Sequence, residues 1–166
     1  MLQSAMIAMA LACQPDMLIA DEPTTALDVT IQVQILELIV DLKKKMNLTV
    51  LIITHDLGVV AETCDRVGIM YAGNIVELCD VHSVFSNPKH PYTIGLINSI
   101  PKMSQKPGER LETISGSVPN LIYPPSGCRF HPRCSGAMDI CRKEKPEIIE
   151  VEKGCFVACH LYDDLS

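Results

Sequence analysis

Met17-Leu18-Ile19-Ala20-Asp21-Glu22-Pro23-Thr24-Thr25-Ala26-Leu27-Asp28 is the stretch on which the reading of this chain turns. Its apolar run, closed by two acids and a proline, has the pattern of a short buried strand opening onto a polar edge. Asp28 stands where a helix N-cap belongs. After it, Ile31, Ile35, Leu38, Ile39, Leu42 and Met46 recur at helical spacing. Lys43, Lys44 and Lys45 suit the C-terminal end of that helix, where the dipole favours cations. Thr49 to Thr54 is β-branched and reads as a second strand, ending at His55-Asp56. Strand, helix and strand joined by short links predict a parallel βαβ unit. Further out, Ala5 to Cys13 and Leu57 to Cys64 read as short helices. Arg66 to Tyr71 and Asn74 to Cys79 read as strands about an Ala72-Gly73 turn, and Pro91 to Ile100 as a helix. Beyond Pro101 little is periodic.

The polar clusters sit where an open parallel sheet binds ligands, at the carboxyl ends of strands. Asp21-Glu22 follows one strand and His55-Asp56 the next. Paired acids there suit a magnesium–phosphate site, one orienting the metal and the other polarising a water, with a histidine on the neighbouring strand tip near the terminal phosphate. Either cluster alone is equally a turn or a strand cap. Together at one sheet edge they point to chemistry.

The whole chain has 166 residues, 48% hydrophobic and 20% charged, with net charge −6. That is enough for one domain, or a domain with a small appendage, and too apolar for intrinsic disorder. The acidic balance argues against a nucleic-acid surface. Runs such as Met6 to Cys13 fall short of the roughly 20 residues that cross a bilayer, and no signal peptide is visible. Residues 1–100 hold 5 Lys/Arg against 11 Asp/Glu, so the net charge lies there. Residues 101–166 are neutral and carry 7 of the 11 prolines and 5 of the 8 cysteines. This second part reads as a loop-rich appendage that a metal would help to fold. Eight cysteines without a secretion signal suggest thiols or metal ligands, not a disulfide framework.

Met17 to Asp28 resembles the Walker B motif and D-loop of ABC-transporter ATPases, and Leu51-Ile52-Ile53-Thr54-His55-Asp56 resembles their switch-histidine segment. Within that superfamily the chain is most similar to the ATPase subunits of bacterial oligopeptide and dipeptide (peptide/nickel) importers. The cues are Tyr71-Ala72-Gly73-Asn74-Ile75-Val76-Glu77, then Asn87-Pro88-Lys89-His90-Pro91-Tyr92-Thr93, then the cysteine-rich tail. The resemblance implies an α/β fold: part of a P-loop NTPase (ABC ATPase) core with parallel strands, followed by a loop-rich, cysteine-containing extension. It divides the chain into 1–80 (ATPase part), 81–126 (helical and linker region) and 127–166 (metal-cluster tail). It also implies roles. Asp21 would hold magnesium through water, Glu22 would be the general base, and His55 would contact the γ-phosphate of ATP. Asp28 would belong to the D-loop of a head-to-tail ATPase dimer. Implied partners are transmembrane permease subunits and a second ATPase subunit, at the cytoplasmic face of the bacterial membrane, with no nucleic acid.

The chain departs from the pattern too. It has no G-x-x-x-x-G-K-[ST] loop to cradle phosphates, and the Leu-Ser-Gly-Gly signature is missing; Ile114-Ser115-Gly116-Ser117 mimics it faintly but reads as a loop. The resemblance is therefore to the C-terminal half of such an ATPase, and the chain alone is expected neither to bind ATP tightly nor to hydrolyse it. An exposed apolar edge and self-association are further expectations.

Cys128, Cys134, Cys141 and Cys159 are spaced C-x5-C-x6-C-x17-C. Four thiolates close either an iron–sulfur or a zinc site, and the spacing is not the C-x2-C pair of zinc ribbons. Similar tails in peptide-importer ATPases imply a [4Fe–4S] cluster on these four. Cys155 stands where the resemblance leads one to expect another residue, and is a possible substitute ligand. Arg129, Arg133 and Arg142 either offset thiolate charge or are plain solvated arginines. Cys13, Cys64 and Cys79 read as buried structural thiols, and Met6, Met9 and Met17 as core. His82, His90, His131 and His160 have no partner assignable from sequence. Two other functions stay open: an autonomous iron–sulfur or zinc structural module, and a non-catalytic interaction fragment.

Overall fold

The computed structural model describes residues 2–25, 27–101 and 113–165. It forms two compact units, Met1–Cys64 and Asp65–Ser166.

In the first unit, α1 (Leu2–Leu11) precedes β1 (Met17–Asp21), α2 (Val29–Met46), β2 (Thr49–Ile53) and α3 (Leu57–Thr63). β1 and β2 pair in parallel, with Ile19 opposite Leu51 and Asp21 opposite Ile53, so the predicted βαβ crossover is present. Asp28 caps α2 by accepting a hydrogen bond from the Ile31 amide at 3.0 Å, and Asn47 closes the helix in the left-handed conformation. Leu18, Ile35, Leu36, Ile39, Leu48, Val59 and Val60 form the core. The other face of the strand pair is bare among the described residues: Met17, Ile19, Leu51 and Ile53 are each 45–60% exposed.

Met6 and Met9 are 56% and 70% exposed, so neither they nor Met17 is core. α1 is apolar around its circumference, and such a helix shows methionines to solvent unless it is covered on every side. Cys13 is also exposed, and Cys64 partly so; helix or strand context did not bury them.

In the second unit, β3 (Arg66–Tyr71) and β4 (Asn74–Asp80) form an antiparallel hairpin. Its two-residue turn, Ala72-Gly73, has positive φ at both positions, the geometry that matches strand twist. α4 (Val81–Ser86), capped by Asp80, and α5 (Pro91–Asn98) follow. After Pro101 come the three-residue helical turn His131–Arg133, the one-turn helix α6 (Ile140–Lys143), and β5 (Ile149–Glu152) with β6 (Cys155–Val157). β6 pairs with β4, giving a four-stranded antiparallel sheet in the order β3-β4-β6-β5. The cysteine-rich tail is thus a sheet partner of the hairpin, an arrangement the sequence pattern did not predict.

No helix among the described residues is long and apolar enough to cross a membrane.

Candidate functional sites at the strand edge and in the cysteine-rich tail

The first site forms where β1 and β2 end side by side. Asp21 closes β1 and is exposed. Glu22 follows in the left-handed region at φ 47, and its amide donates to the Ile53 carbonyl at 2.9 Å. This strained turn re-aims the Glu22 side chain along the sheet edge. Glu22 Oε1 lies 2.8 Å from His55 Nδ1, and Thr25 Oγ1 donates to Glu22 Oε2 at 2.8 Å. The hydrogen bond to His55, then that to Thr25, lowers the Glu22 pKa below its ordinary value. The same bond and the carboxylate charge raise that of His55. Each partner thus favours the charged form of the other at an exposed edge, and both Glu22 oxygens are engaged.

The acid of the His55-Asp56 cluster is structural. Asp56 Oδ1 accepts from the amides of Gly58 at 2.8 Å and Val59 at 3.3 Å, capping α3, while Gln32 Nε2 reaches Oδ2 at 3.4 Å. Asp28 likewise caps α2. The structure brings Asp21, Glu22 and His55 to one edge and uses Asp28 and Asp56 to set the helices that follow.

The second site is built from the tail. Gly127 sits at φ 65, and a Cβ there would strike the Cys141 carbonyl, so only glycine lets the chain pass this close. Immediately after it, the Cys128 amide donates to that carbonyl at 2.8 Å, joining the first ligand candidate to the third. Burial lifts the pKa values of Cys128 and Cys134 and pushes Cys159 up to about 11, with charge from neighbouring thiols adding to the shift of each. All four cysteines thus feel one another. Backbone amides oppose the rise: Phe130 and His131 at Cys128, Gly136 at Cys134, Leu161 at Cys159. The Met138 amide donates to Cys141 Sγ at 3.4 Å. Backbone amides near each sulfur favour its charged form, which suits metal-bound thiolates. Among the described residues no three of these sulfurs lie within 4.8 Å of one another. A tetrahedral zinc with bonds of about 2.3 Å needs its sulfurs ~3.8 Å apart.

Cys155 is not in this set, because it is disulfide-bonded to Cys79. The expectation of a free structural thiol at Cys79 is likewise corrected: the two residues face each other across β4 and β6. Arg129 and Arg133 serve the fold. The first donates to the Ala72 carbonyl at the hairpin turn, and the second to the carbonyls of Ser115 and Ile114 at 2.9 and 3.0 Å. The Ile114-Ser117 segment is a loop, held in this way.

Three sequence cues without evident chemistry meet in one aromatic cluster. Tyr71 lies 4.6 Å from Tyr92 and 5.1 Å from Phe130, and His90 lies 5.7 Å from Phe130. His90 Nδ1 caps α5 through the Tyr92 amide at 3.0 Å, and burial lowers its pKa to about 4. The buried Glu77 carboxylate accepts from the amides of Lys89 and His90 at 2.9 and 2.8 Å. His160, also buried, bonds Asp163 through Nδ1 at 2.8 Å and the Glu144 carbonyl through Nε2 at 3.0 Å.

A family model described as "Oligopeptide/dipeptide transporter, C-terminal region" matches residues 76–141. The chain is 57% identical to the probable peptide ABC transporter ATP-binding protein y4tR of Sinorhizobium fredii over 96% of its length and 48% of that protein's. It is 52% identical to the oligopeptide transport ATP-binding protein AppD of Bacillus subtilis, over 99% of this chain and 50% of that one. To the dipeptide transport ATP-binding protein DppD of Escherichia coli it is 49% identical, over 96% and 49%. It spans about half the length of the relatives it matches. The chain belongs to the family of oligopeptide and dipeptide ABC-transporter ATP-binding proteins and matches the C-terminal part of its relatives.

Proposed function

We propose that Asp21, Glu22 and His55 form the hydrolytic edge of an ATP-binding subunit that energises peptide import across the bacterial inner membrane. The observation carrying this reading is the 2.8 Å Glu22–His55 contact at the carboxyl ends of two parallel strands. Asp21 would orient Mg2+ through water, Glu22 would take the proton of the attacking water, and His55 would turn from Glu22 to the terminal phosphate. With both Glu22 oxygens engaged, the edge is closed until nucleotide draws His55 away. The subunit would pair head to tail with a second ATPase and dock on permease subunits as a peripheral protein. The 166 residues alone contain no phosphate-cradling loop, so the chain by itself neither binds ATP tightly nor turns it over.

Grafting residues 1–166 in place of the matching half of the Escherichia coli dipeptide relative tests the edge. The chimera should hydrolyse Mg-ATP, and Glu22→Gln should slow it by about 100-fold or more. A folded chimera whose turnover is indifferent to Glu22→Gln and His55→Ala contradicts the proposal, while Glu22-dependent turnover by the 166-residue chain alone would contradict only its inactivity in isolation.

In the tail, Cys128, Cys134, Cys141 and Cys159 would hold a [4Fe–4S] cluster. The mutual influence of the four thiols supports a shared site, and their spacing, without the C-x2-C pair of zinc ribbons, supports a cluster over zinc. The cluster supplies cross-links to a segment with few large apolar residues, and its role is structural.

A further inference from the structure

We infer that Cys79 and Cys155 are a reversible redox latch, separate from the four-thiol set, that fastens the tail hairpin to β4. Ala158 donates its amide to the Val76 carbonyl at 2.9 Å, which makes Glu77 and Val157 a non-hydrogen-bonded pair. Two residues along, Cys79 and Cys155 occupy the next such pair, the position at which opposing side chains come closest. Their Cα atoms are 4.3 Å apart. Register, not chance proximity, sets the two sulfurs against each other, and both residues are buried, at 0% and 3% exposure.

The surroundings favour a reversible bond. The other six cysteines are free thiols, one of them the exposed Cys13. Four of these six are the proposed metal ligands, which must stay thiolates, so on that reading the Cys79–Cys155 bond forms where thiols persist and belongs to the redox-responsive kind. The Glu77 carboxylate lies within 4.8 Å of both sulfurs. A soft cation on this trio is the competing reading, but the Glu77 oxygens already accept two backbone amides and the sulfurs are bonded to each other.

The oxidant is a small disulfide of the glutathione class. β6 has only three residues and begins at Cys155, next to the Gly154 turn, so Cys155 is the one of the two that lies at a strand end. Cys155 loses its proton and attacks one sulfur of the small disulfide, whose S–S bond breaks and releases one small thiol. Cys79 then loses its proton and attacks the Cys155 sulfur, releasing the second. Two protein thiols are oxidised and one small disulfide is reduced to two thiols. The bond spans 76 residues, a loop containing Cys128, Cys134 and Cys141, and it fixes β6 four residues before Cys159.

Purified chain is equilibrated in reduced and oxidised glutathione mixtures, acid-quenched, alkylated, digested and mapped by mass spectrometry. The expected product at the oxidising end is one cross-linked peptide pair joining Cys79 to Cys155, which opens under reductant. The oxidised chain should melt about 10 °C or more higher, a difference absent in Cys155→Val. Mapping the unmutated chain does not depend on the variant folding. Full alkylation of both cysteines at every ratio overturns the latch, as do bonding of Cys155 to another cysteine and a metal ion recovered with both thiols protected. The map reads these two residues individually, so an absent cluster leaves the outcome legible and an absent latch leaves the cluster untouched.

Discussion

Glu22 and His55 show how far residue-level chemistry was readable. Apolar runs ending in Asp21-Glu22 and His55-Asp56 were enough to put a carboxylate and an imidazole on one sheet edge, because strand ends in a parallel pair are neighbours. What the pattern did not reveal is the division of labour: Asp28 and Asp56 are helix caps. The pair makes a direct prediction. Glu22 raises the His55 pKa above 6.5, so an NMR titration of His55 should give a value above 6.5 that falls back toward it in Glu22→Gln. In sign, a raised histidine pKa favours the folded edge below 6.5 and loses that contribution as pH rises through the folded value. Both groups are exposed, so the effect belongs to local protonation and not to global stability. Equal titration in the two proteins would remove the contact.

At the scale of elements, the hairpin, the βαβ crossover and α5 were legible because each has a strong local signal: alternation, helical spacing, a two-residue turn or a leading proline. β5 and β6 were missed although Ile149-Glu150-Val151-Glu152 alternates and Lys153-Gly154 follows it. Strands of four and three residues between charged stretches are too short for the pattern to stand out. The Asn87 to Thr93 motif was visible only as a marker. Its physical meaning lies in partners distant in sequence, Glu77 and Phe130. Two predictions belong here. Glu77→Met should destabilise the second unit by about 2–4 kcal/mol in chemical denaturation, since it leaves two amides without an acceptor. His90, held neutral by burial with its pKa near 4, stabilises fully above 6.5. As pH falls from 6.5 toward 4 the unfolded chain takes up the proton first, and about 3 kcal/mol is lost. His90→Asn, which keeps a capping acceptor, should flatten that acid slope; an unchanged slope would assign it to other groups.

The whole molecule presents two units with separate chemistry, and the composition shift near residue 100 pointed to such a division. The observed boundary falls earlier, after Cys64, because β6 recruits the β3–β4 hairpin into the tail's sheet. Pairing between segments 76 residues apart leaves no local trace in sequence. In the first unit the bare face of Met17, Ile19, Leu51 and Ile53 predicts concentration-dependent association of the purified chain. Sedimentation velocity should show it, and Ile19→Thr with Leu51→Thr should reduce it; a monomer across the concentration range would contradict the reading. In the second unit Gly127→Ala should disorder the cysteine site, since the added Cβ strikes the Cys141 carbonyl, and metal content should fall with it.

An iron–sulfur cluster on Cys128, Cys134, Cys141 and Cys159 is the central proposal for this chain. The direct measurement is an anaerobic ultraviolet–visible spectrum of the purified chain with iron, sulfide and zinc analysis. A broad absorption near about 400 nm, with roughly four iron and four sulfide per chain, is the predicted result, lost on replacing Cys128, Cys134, Cys141 or Cys159 by serine and retained in Cys155→Val. A colourless protein, whether it contains zinc or no metal at all, would contradict it.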